Sequence, residues 1–157
     1  MSPPGAPPLG TPAAEPGRAP GRQLARGVCR LMRSLDFAPL EEVAPTRGLR
    51  VDVMALGPKG EVWVIECKSS RQDFTADRKW QGYLPWCDRF FWAVPADFPD
   101  ADSLPEIGGL ILADDYGAEI IRTPPDTPLP AARRRALTLR LARLAALRHL
   151  HLLDPMG

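Results

Sequence analysis

Two β-rich runs joined by a tight turn constrain the fold of this chain more than any other feature. The runs are Leu49 to Leu56 and Glu61 to Lys68, and the sequence between them, GPKG, has the composition of a turn. The pattern therefore predicts a β-hairpin. A three-residue turn at 58–60 pairs residues whose numbers sum to 118, so the hairpin should place Asp52 opposite Glu66.

The segments on either side of the hairpin predict a mixed α/β domain. Before it we expect a helix from Arg22 that ends before Pro39, and a short strand, 37–43. Pro39 predicts that this strand lies at a sheet edge or is irregular at its start. After it the patterns predict a helix over 74–84 that stops before Pro85, strands at 89–94, 110–113 and 118–122, and a long helix over 131–152. The order α-β-β-β-α-β, followed by a hairpin and a helix, predicts a mixed sheet flanked by helices.

The spacing of apolar residues predicts which side of each long helix faces the core. In the first helix the inward residues should be Leu24, Val28, Leu31 and Leu35, and the arginines at 22, 26, 30 and 33 should stay mostly solvated. In the last helix the inward residues should be Leu137, Leu141, Leu144 and Ala145, with Arg133, Arg134, Arg140 and Arg143 largely outward. Core packing is also the expected role of Trp80, Tyr83 and the three cysteines, Cys29, Cys67 and Cys87.

Composition sets the boundaries of the domain and excludes several classes of protein. Residues 1–21 hold seven prolines and four glycines, which predicts a disordered tail before a single domain at 22–153. No apolar run reaches the roughly 18 residues of a membrane span and no secretory signal is evident, so we expect a cytoplasmic protein with no membrane partner. The cysteines form no C-x-x-C pair, and both histidines stand near the end of the chain. Neither a zinc site nor a histidine-based triad is therefore expected.

Charged residues at the end of the hairpin carry the clearest chemical signal. Period-two geometry turns Glu66 and Lys68 to one face of the sheet, and Asp52 should join them if Val51 and Val53 share the apolar face. Facing carboxylates repel each other unless a cation lies between them. Mg²⁺ prefers oxygen ligands and keeps several waters, so it suits such a pair. The pattern predicts metal-assisted phosphodiester hydrolysis, in which Lys68 orients a water or stabilises charge on the phosphate.

The same residues resemble a known group of proteins. The segments RVDV and EVWVIECKSS resemble the active-site hairpin of the PD-(D/E)XK nuclease-like superfamily, although Val51 stands where the motif name has Pro. The longer stretch from RVDVMALGPKG to DRFFWAVP, then GLILADDYGAEIIR and the ending rich in Arg and Leu, resembles the bacterial MmcB-related DNA-repair proteins over roughly residues 22–150. The resemblance implies a restriction-endonuclease-like αβββαβ core and a role in bacterial DNA metabolism.

The resemblance also implies roles for individual residues. It assigns Asp52 and Glu66 as metal-binding acids, the Cys67 backbone carbonyl as a further ligand of Mg²⁺ or Mn²⁺, and Lys68 as the catalytic lysine. Members of the superfamily often add another acid, for which Glu42 or Glu41 is the nearest match. The helix after the hairpin of similar proteins contacts the site or the nucleic acid, and its candidates here are Arg78, Lys79 and Gln81. Four basic residues of the hairpin and its flanks are expected to neutralise phosphates: Arg47, Arg50, Lys59 and Arg71.

Three functions remain open on the sequence. The first is a metal-dependent nuclease that recognises DNA structure, since no motif that reads base edges is evident. The second is a non-catalytic DNA-binding or adaptor protein of a repair complex that keeps the nuclease fold. The third is an interaction module whose last helix docks a repair protein or a second copy of the chain. The sequence does not decide between DNA and RNA, single strand and duplex, or end and internal cleavage.

Overall fold

The computed structural model of the chain describes residues 20–157, which form three helices and one six-stranded sheet. The helices are α1 (Pro20–Ser34), α2 (Arg71–Ala76) and α3 (Ala131–Leu153). The strands are β1 (Ala38–Thr46), β2 (Leu49–Leu56), β3 (Val62–Cys67), β4 (Arg89–Val94), β5 (Gly109–Ala113) and β6 (Ala118–Arg122). Two 3₁₀ helices, Trp80–Trp86 and Ala101–Ser103, lie in the connections.

The six strands lie in the sheet in the order in which they occur along the chain. Strands β1, β2 and β3 form an antiparallel meander, β4 and β5 add parallel to β3, and β6 closes the sheet as the antiparallel partner of β5. This arrangement confirms the predicted αβββαβ core with its mixed sheet, its added hairpin and its long final helix. Within residues 20–157 no helix is long and apolar enough to span a membrane.

A hydrophobic core lies on each face of the sheet. The α1-side core joins Leu24, Val28 and Met32 of the helix to inward residues of the central strands, among them Ile65 and Phe91. The α3-side core contains the alternate residues of the same strands together with Leu137 and Leu141 of α3. Strands β3 and β4 are buried on both faces, which is why their sequences are almost continuously apolar.

Helix α1 differs in detail from its predicted position. It begins at Pro20, and its buried face runs through Ala25 and Met32, whereas Leu31 is half-buried and Leu35 is exposed beyond the end of the helix. At Gly27 the helix lies against the β5–β6 turn, where a Cβ would overlap the carbonyl oxygens of Asp114 and Gly117. Gly27 therefore lets the helix backbone lie directly on that turn. The predicted tail lies outside the described residues, except for Pro20 and Gly21 in this helix.

The helix predicted over 74–84 is wrong. Helix α2 begins after Ser70, whose hydroxyl caps it by accepting the N–H of Asp73, and ends at Ala76. Asp77 is extended, with φ −77° and ψ 117°, and the chain then continues as the 3₁₀ helix that contains Pro85. Trp80 and Tyr83 pack in the α3-side core against Phe90, as expected.

Helix α3 has two ends with different surroundings. Near its beginning, Arg134 turns inward to a buried Asp88, so the prediction of an outward Arg134 is wrong. Leu137 and Leu141 are buried and Leu144 packs against the same core, but Ala145 is exposed. The leucines in the last part of the helix are exposed: Leu147, Leu150, Leu152 and Leu153.

Candidate active site

The two candidate acids meet where β2 and β3 stop pairing. The ladder follows the predicted register, with Val53 opposite Ile65 and Leu56 opposite Val62. At the next position the Asp52 N–H donates to Glu66 Oε1 at 2.9 Å, and the Cys67 N–H donates to Asp52 Oδ2 at 2.8 Å. Each carboxylate thus accepts a backbone N–H of the other strand. These hydrogen bonds hold the two acids side by side.

Strand β2 changes its facing at Asp52. Val51 lies in the α3-side core and Val53 in the α1-side core, so the prediction that these two valines share one face is wrong. The neighbouring strand β1 is irregular at the same place, because Glu42 adopts a left-handed conformation with φ 51° between the paired residues Glu41 and Val43. The register of β1 against β2 also shifts between Val43 and Thr46. Asp52, opposite Glu42, lines a cleft together with residues of α1.

The surroundings of both acids disfavour their ionised form. Burial raises the pKa of Glu66 to about 8, and the neighbouring charge of Asp52 adds to the effect. Burial likewise raises the pKa of Asp52, although the Cys67 N–H and the charge of Lys68 act against it. The pair has no cation in direct contact among residues 20–157, since Lys68 bonds elsewhere. Such a pair favours binding of a positive ion.

Lys68 pairs with a residue that sequence reasoning missed. Its Nζ lies 2.8 Å from Asp77 Oδ2, and both side chains are about nine-tenths buried. Asp77 Oδ1 accepts the N–H of Lys79 at 2.8 Å, so both oxygens of this carboxylate are occupied. Burial opposes both charges, but their hydrogen bond outweighs it, raising the pKa of Lys68 and lowering that of Asp77. The only sequence signal was an acid inside a segment assigned to a helix.

The donor set fits a hard divalent cation in part. One oxygen of each acid, Asp52 Oδ1 and Glu66 Oε2, makes no hydrogen bond to another described residue. With the Cys67 carbonyl these oxygens would supply three ligands of the kind that Mg²⁺ prefers. Residues 20–157 contain no cluster of three or more acidic, histidine or cysteine side chains arranged around one ion. Of the two further candidates, Glu42 acts on Asp52 by raising its pKa, and both Glu42 and Glu41 line the same cleft.

The cleft beside Asp52 has a volume of about 650 Å³. One wall is α1, and its arginines line the cleft: Arg22, Arg26, Arg30 and Arg33. The other wall carries Glu41, Glu42 and Asp52, and Arg148 of α3 closes one end. Sequence reasoning assigned the α1 arginines to solvent and did not connect them with the site. The signal was their spacing of four, four and three residues, which places them on one side of a helix.

Comparison with known proteins identifies the family. A model of the MmcB-like family, described as DNA repair protein MmcB-like, matches residues 11–156. The chain belongs to the MmcB-like family of DNA repair proteins. The resemblance drawn from the hairpin and the segments after it is thereby confirmed, and so is the expected connection with DNA repair.

Two solved structures resemble this MmcB-like protein. One is the SPO1766 protein of unknown function from Silicibacter pomeroyi, with 58% identity, a TM-score of 0.86, and coverage of 89% of this chain and 95% of the other. The second is a repair endonuclease from Pyrococcus abyssi, with 20% identity, a TM-score of 0.42, and coverage of 66% of this chain and 50% of the other. No curated protein matches the sequence.

The residues expected to bind nucleic acid do not form one surface in this MmcB-like protein. Six of them are exposed and none lines the cleft beside Asp52: Arg47, Arg50, Lys59, Arg78, Lys79 and Gln81. Arg71 is half-buried, with its guanidinium 5.6 Å from the centre of the Phe74 ring and one Nη buried without a hydrogen bond to a described residue. Their part in DNA binding stays a prediction.

Proposed function

We propose that this protein is a divalent-cation-dependent nuclease that hydrolyses DNA phosphodiester bonds during repair. The proposal is carried by one observation: Asp52 and Glu66 are held together at the end of the hairpin where its strands separate, and Lys68 follows Glu66 by two residues. Two carboxylates held side by side repel each other when both are ionised, and a cation between them would offset that repulsion. Chromosomal DNA lies in the bacterial cytoplasm, which is the compartment that we propose.

Asp52, Glu66 and the carbonyl of Cys67 would hold Mg²⁺ or Mn²⁺. When bound, the ion supplies positive charge that neutralises the scissile phosphate and lowers the pKa of water. The raised pKa values of the two acids favour this role, because a cation lowers the cost of keeping both of them ionised. The ligand atoms belong to two adjacent strands, so the rigid sheet fixes their separation.

Lys68 would act as a charged donor in this reaction. Its pKa is raised, so the ammonium keeps its proton at neutral pH and does not serve as a general base. Asp77 holds the Nζ in place and leaves other N–H groups of the ammonium to donate to a phosphate oxygen or to a water. A donor fixed before the reaction stabilises the charge that develops on the phosphate without reorganisation. Asp77 is therefore a positioning residue for Lys68.

A second candidate is a DNA-binding adaptor without catalysis. It is favoured by the hydrogen bonds that the two acids already make to the Asp52 and Cys67 N–H groups, because these bonds give the carboxylates a structural use. The two candidates differ in what a substitution changes. A structural role predicts that replacing Asp52 alters stability, whereas a catalytic role predicts a loss of cleavage in a folded protein.

Cleavage of labelled DNA tests the proposal. Linear duplex, circular, single-stranded and flapped substrates should be incubated with Mg²⁺ or Mn²⁺ and the wild type, Asp52→Asn or Lys68→Ala. A matched control is Arg135→Ala, which removes an exposed basic side chain from α3. We expect cleavage by the wild type and the control only. If the wild type binds DNA but cleaves none of the substrates, the nuclease proposal is wrong and the adaptor function is favoured.

A further inference from the structure

We infer that the arginine stripe of α1, defined as Arg22, Arg26, Arg30 and Arg33, is the surface along which the DNA backbone approaches Asp52. The inference rests on the proposed function, since it takes Asp52 as part of the reactive centre. It adds a path for the substrate that the hairpin motif does not supply. The four arginines and Asp52 line the same cleft, so no further folding step is needed to bring them together.

The dimensions of the stripe suit a nucleic-acid strand. Arg33 stands eleven positions after Arg22 in the helix, which corresponds to about 16 Å along the helix axis at ~1.5 Å per residue. Phosphates of one strand of B-DNA advance by about 3.4 Å each along the duplex axis. The stripe therefore spans roughly five phosphates of one strand. Guanidinium groups suit this contact because their fork geometry donates two hydrogen bonds to a phosphate.

The guanidinium groups of the stripe are available for a ligand. None of the four arginines forms an ion pair with a residue in the described part of the chain, 20–157. Arg30 uses one Nη to donate to the carbonyl oxygen of Tyr116 at 3.0 Å, which anchors that side chain to the β5–β6 turn. Arg148, at the end of the cleft, is different, because it donates to the carbonyl oxygens of Glu41 and Glu42. It is a structural residue rather than part of the stripe.

The charge distribution across the cleft gives the path a direction. Arginines form the α1 wall, and the opposite wall carries the carboxylates of Glu41, Glu42 and Asp52. A phosphate backbone would follow the α1 wall and be repelled from the opposite one, except where a divalent cation at Asp52 reverses the local charge. The stripe would thus hold the strand while a single phosphate reaches the acids.

The cleft recognises a backbone rather than bases. The side chains that line it are small, basic or acidic, and no aromatic residue is among them. Single-strand binding proteins generally add aromatic rings on which bases stack. Contacts made through phosphates alone produce an affinity that is independent of base sequence and falls steeply with salt. This combination fits a repair protein that must act at many sequences.

Salt-dependent DNA binding tests the inference. The variant Arg22→Gln/Arg26→Gln removes two arginines that make no hydrogen bond to a described residue, and Gln keeps the helix propensity of Arg. The control Arg135→Gln/Arg140→Gln removes the same charge from exposed positions of α3 that do not line the cleft. Fluorescence anisotropy with labelled duplex and single-stranded DNA of mixed sequence, in EDTA and again in Ca²⁺, between 50 and 200 mM KCl measures affinity without cleavage. Thermal unfolding verifies that both variants are folded.

The expected results separate this inference from the proposed function. The stripe variant should reduce the slope of log K against log salt by about 1.8 for duplex or about 1.4 for single strands, and lower affinity about 10- to 100-fold at 0.1 M salt. The control should keep the wild-type slope. Equal slopes in the wild type and the stripe variant, equal losses in the two variants, or no binding by the wild type would overturn the inference. If the wild type cleaves DNA but the stripe variant keeps the wild-type slope, the nuclease proposal holds and the stripe inference fails. If the stripe variant changes the slope but the wild type does not cleave DNA, the stripe inference holds and the nuclease proposal fails.

Discussion

Replacement of Asp88 by Ala should destabilise the fold more than replacement of any exposed acid. The carboxylate is 6% exposed and accepts four hydrogen bonds: from the N–H groups of Val62 and Leu129, at 2.7 and 2.8 Å, and from both Nη atoms of Arg134, at 2.6 and 2.7 Å. It therefore joins β3, the segment before α3, and α3 itself. No other described acid connects three parts of the fold in this way.

The expected cost follows from what Ala leaves behind. Two buried N–H groups, of Val62 and Leu129, would lose their acceptor, at about 1–3 kcal/mol each. The side chain of Arg134 is 29% exposed and can reach water, so it adds less than a fully buried charge would. The two losses sum to about 2–6 kcal/mol, a range that contains the usual cost of about 3–5 kcal/mol for removing one partner of a buried ion pair. Asp88→Asn keeps one acceptor and should cost about half as much.

The contribution of Asp88 should also depend on pH. Burial opposes its ionisation, but the hydrogen bonds from Arg134 and the two N–H groups outweigh burial and lower the pKa of Asp88. A carboxyl whose folded pKa lies below its unfolded pKa adds stability at high pH and loses it as the pH falls. The difference between the wild type and Asp88→Ala should thus be full at pH 7 and shrink below about pH 4, near the unfolded pKa of Asp.

Urea unfolding followed by tryptophan fluorescence measures this difference, with Asp97→Ala, an exposed acid, as the control. The wild type and both variants should be compared at pH 7 and again near pH 3.5. A loss of less than about 1 kcal/mol for Asp88→Ala at pH 7 would refute the assignment of Asp88 as the residue that fixes α3. A loss of the same size at both pH values would refute the role of its charge.

Three further substitutions have expected outcomes of their own. Gly27→Ala should lower the free energy of unfolding in urea by at least ~2 kcal/mol, because the added methyl group would overlap the β5–β6 turn. The control Gly21→Ala should be neutral or slightly stabilising, since no atom lies within 4 Å of its added Cβ. Lys68→Met should slow single-turnover cleavage about 10²- to 10³-fold with unchanged DNA affinity, and a matching loss of affinity would assign Lys68 to binding instead. Arg148→Met should cost about 1 kcal/mol in the same urea assay, since it removes two hydrogen bonds to β1 carbonyls, and the exposed Arg140→Met should cost less than about 0.5 kcal/mol.

The hairpin was predictable because its local signals agree. The turn at 57–60, the apolar run of β3 and the register that places Asp52 opposite Glu66 depend on neighbouring residues and on period-two geometry alone. The order of the elements and the edge position of β1 followed from the same kind of signal. Alternation of facing failed at Asp52, which stands opposite the left-handed Glu42 of the adjacent strand, and no residue preference in the sequence predicts that conformation.

The features that the sequence did not predict depend on contacts between distant residues. Helix α2 ends at Ala76 because Asp77 leaves the helical conformation to bond Lys68, nine residues earlier in the chain. Arg134 turns inward because Asp88 is buried beneath it, although its helix position suggested solvent. Four arginines on α1 have the pattern of an ordinary solvated face, and only the position of the helix beside Asp52 places them on a cleft.

The central claim, that Asp52 and Glu66 together hold a divalent cation, is tested most directly by a Mn²⁺ titration. The signal of free Mn²⁺ in electron paramagnetic resonance counts the bound ions for the wild type, Asp52→Asn, Glu66→Gln and the control Glu61→Gln. We predict one site in the wild type and the control and its loss in both site variants, each shown to be folded. A wild type that binds no Mn²⁺, or site variants that bind it as the wild type does, would contradict the claim.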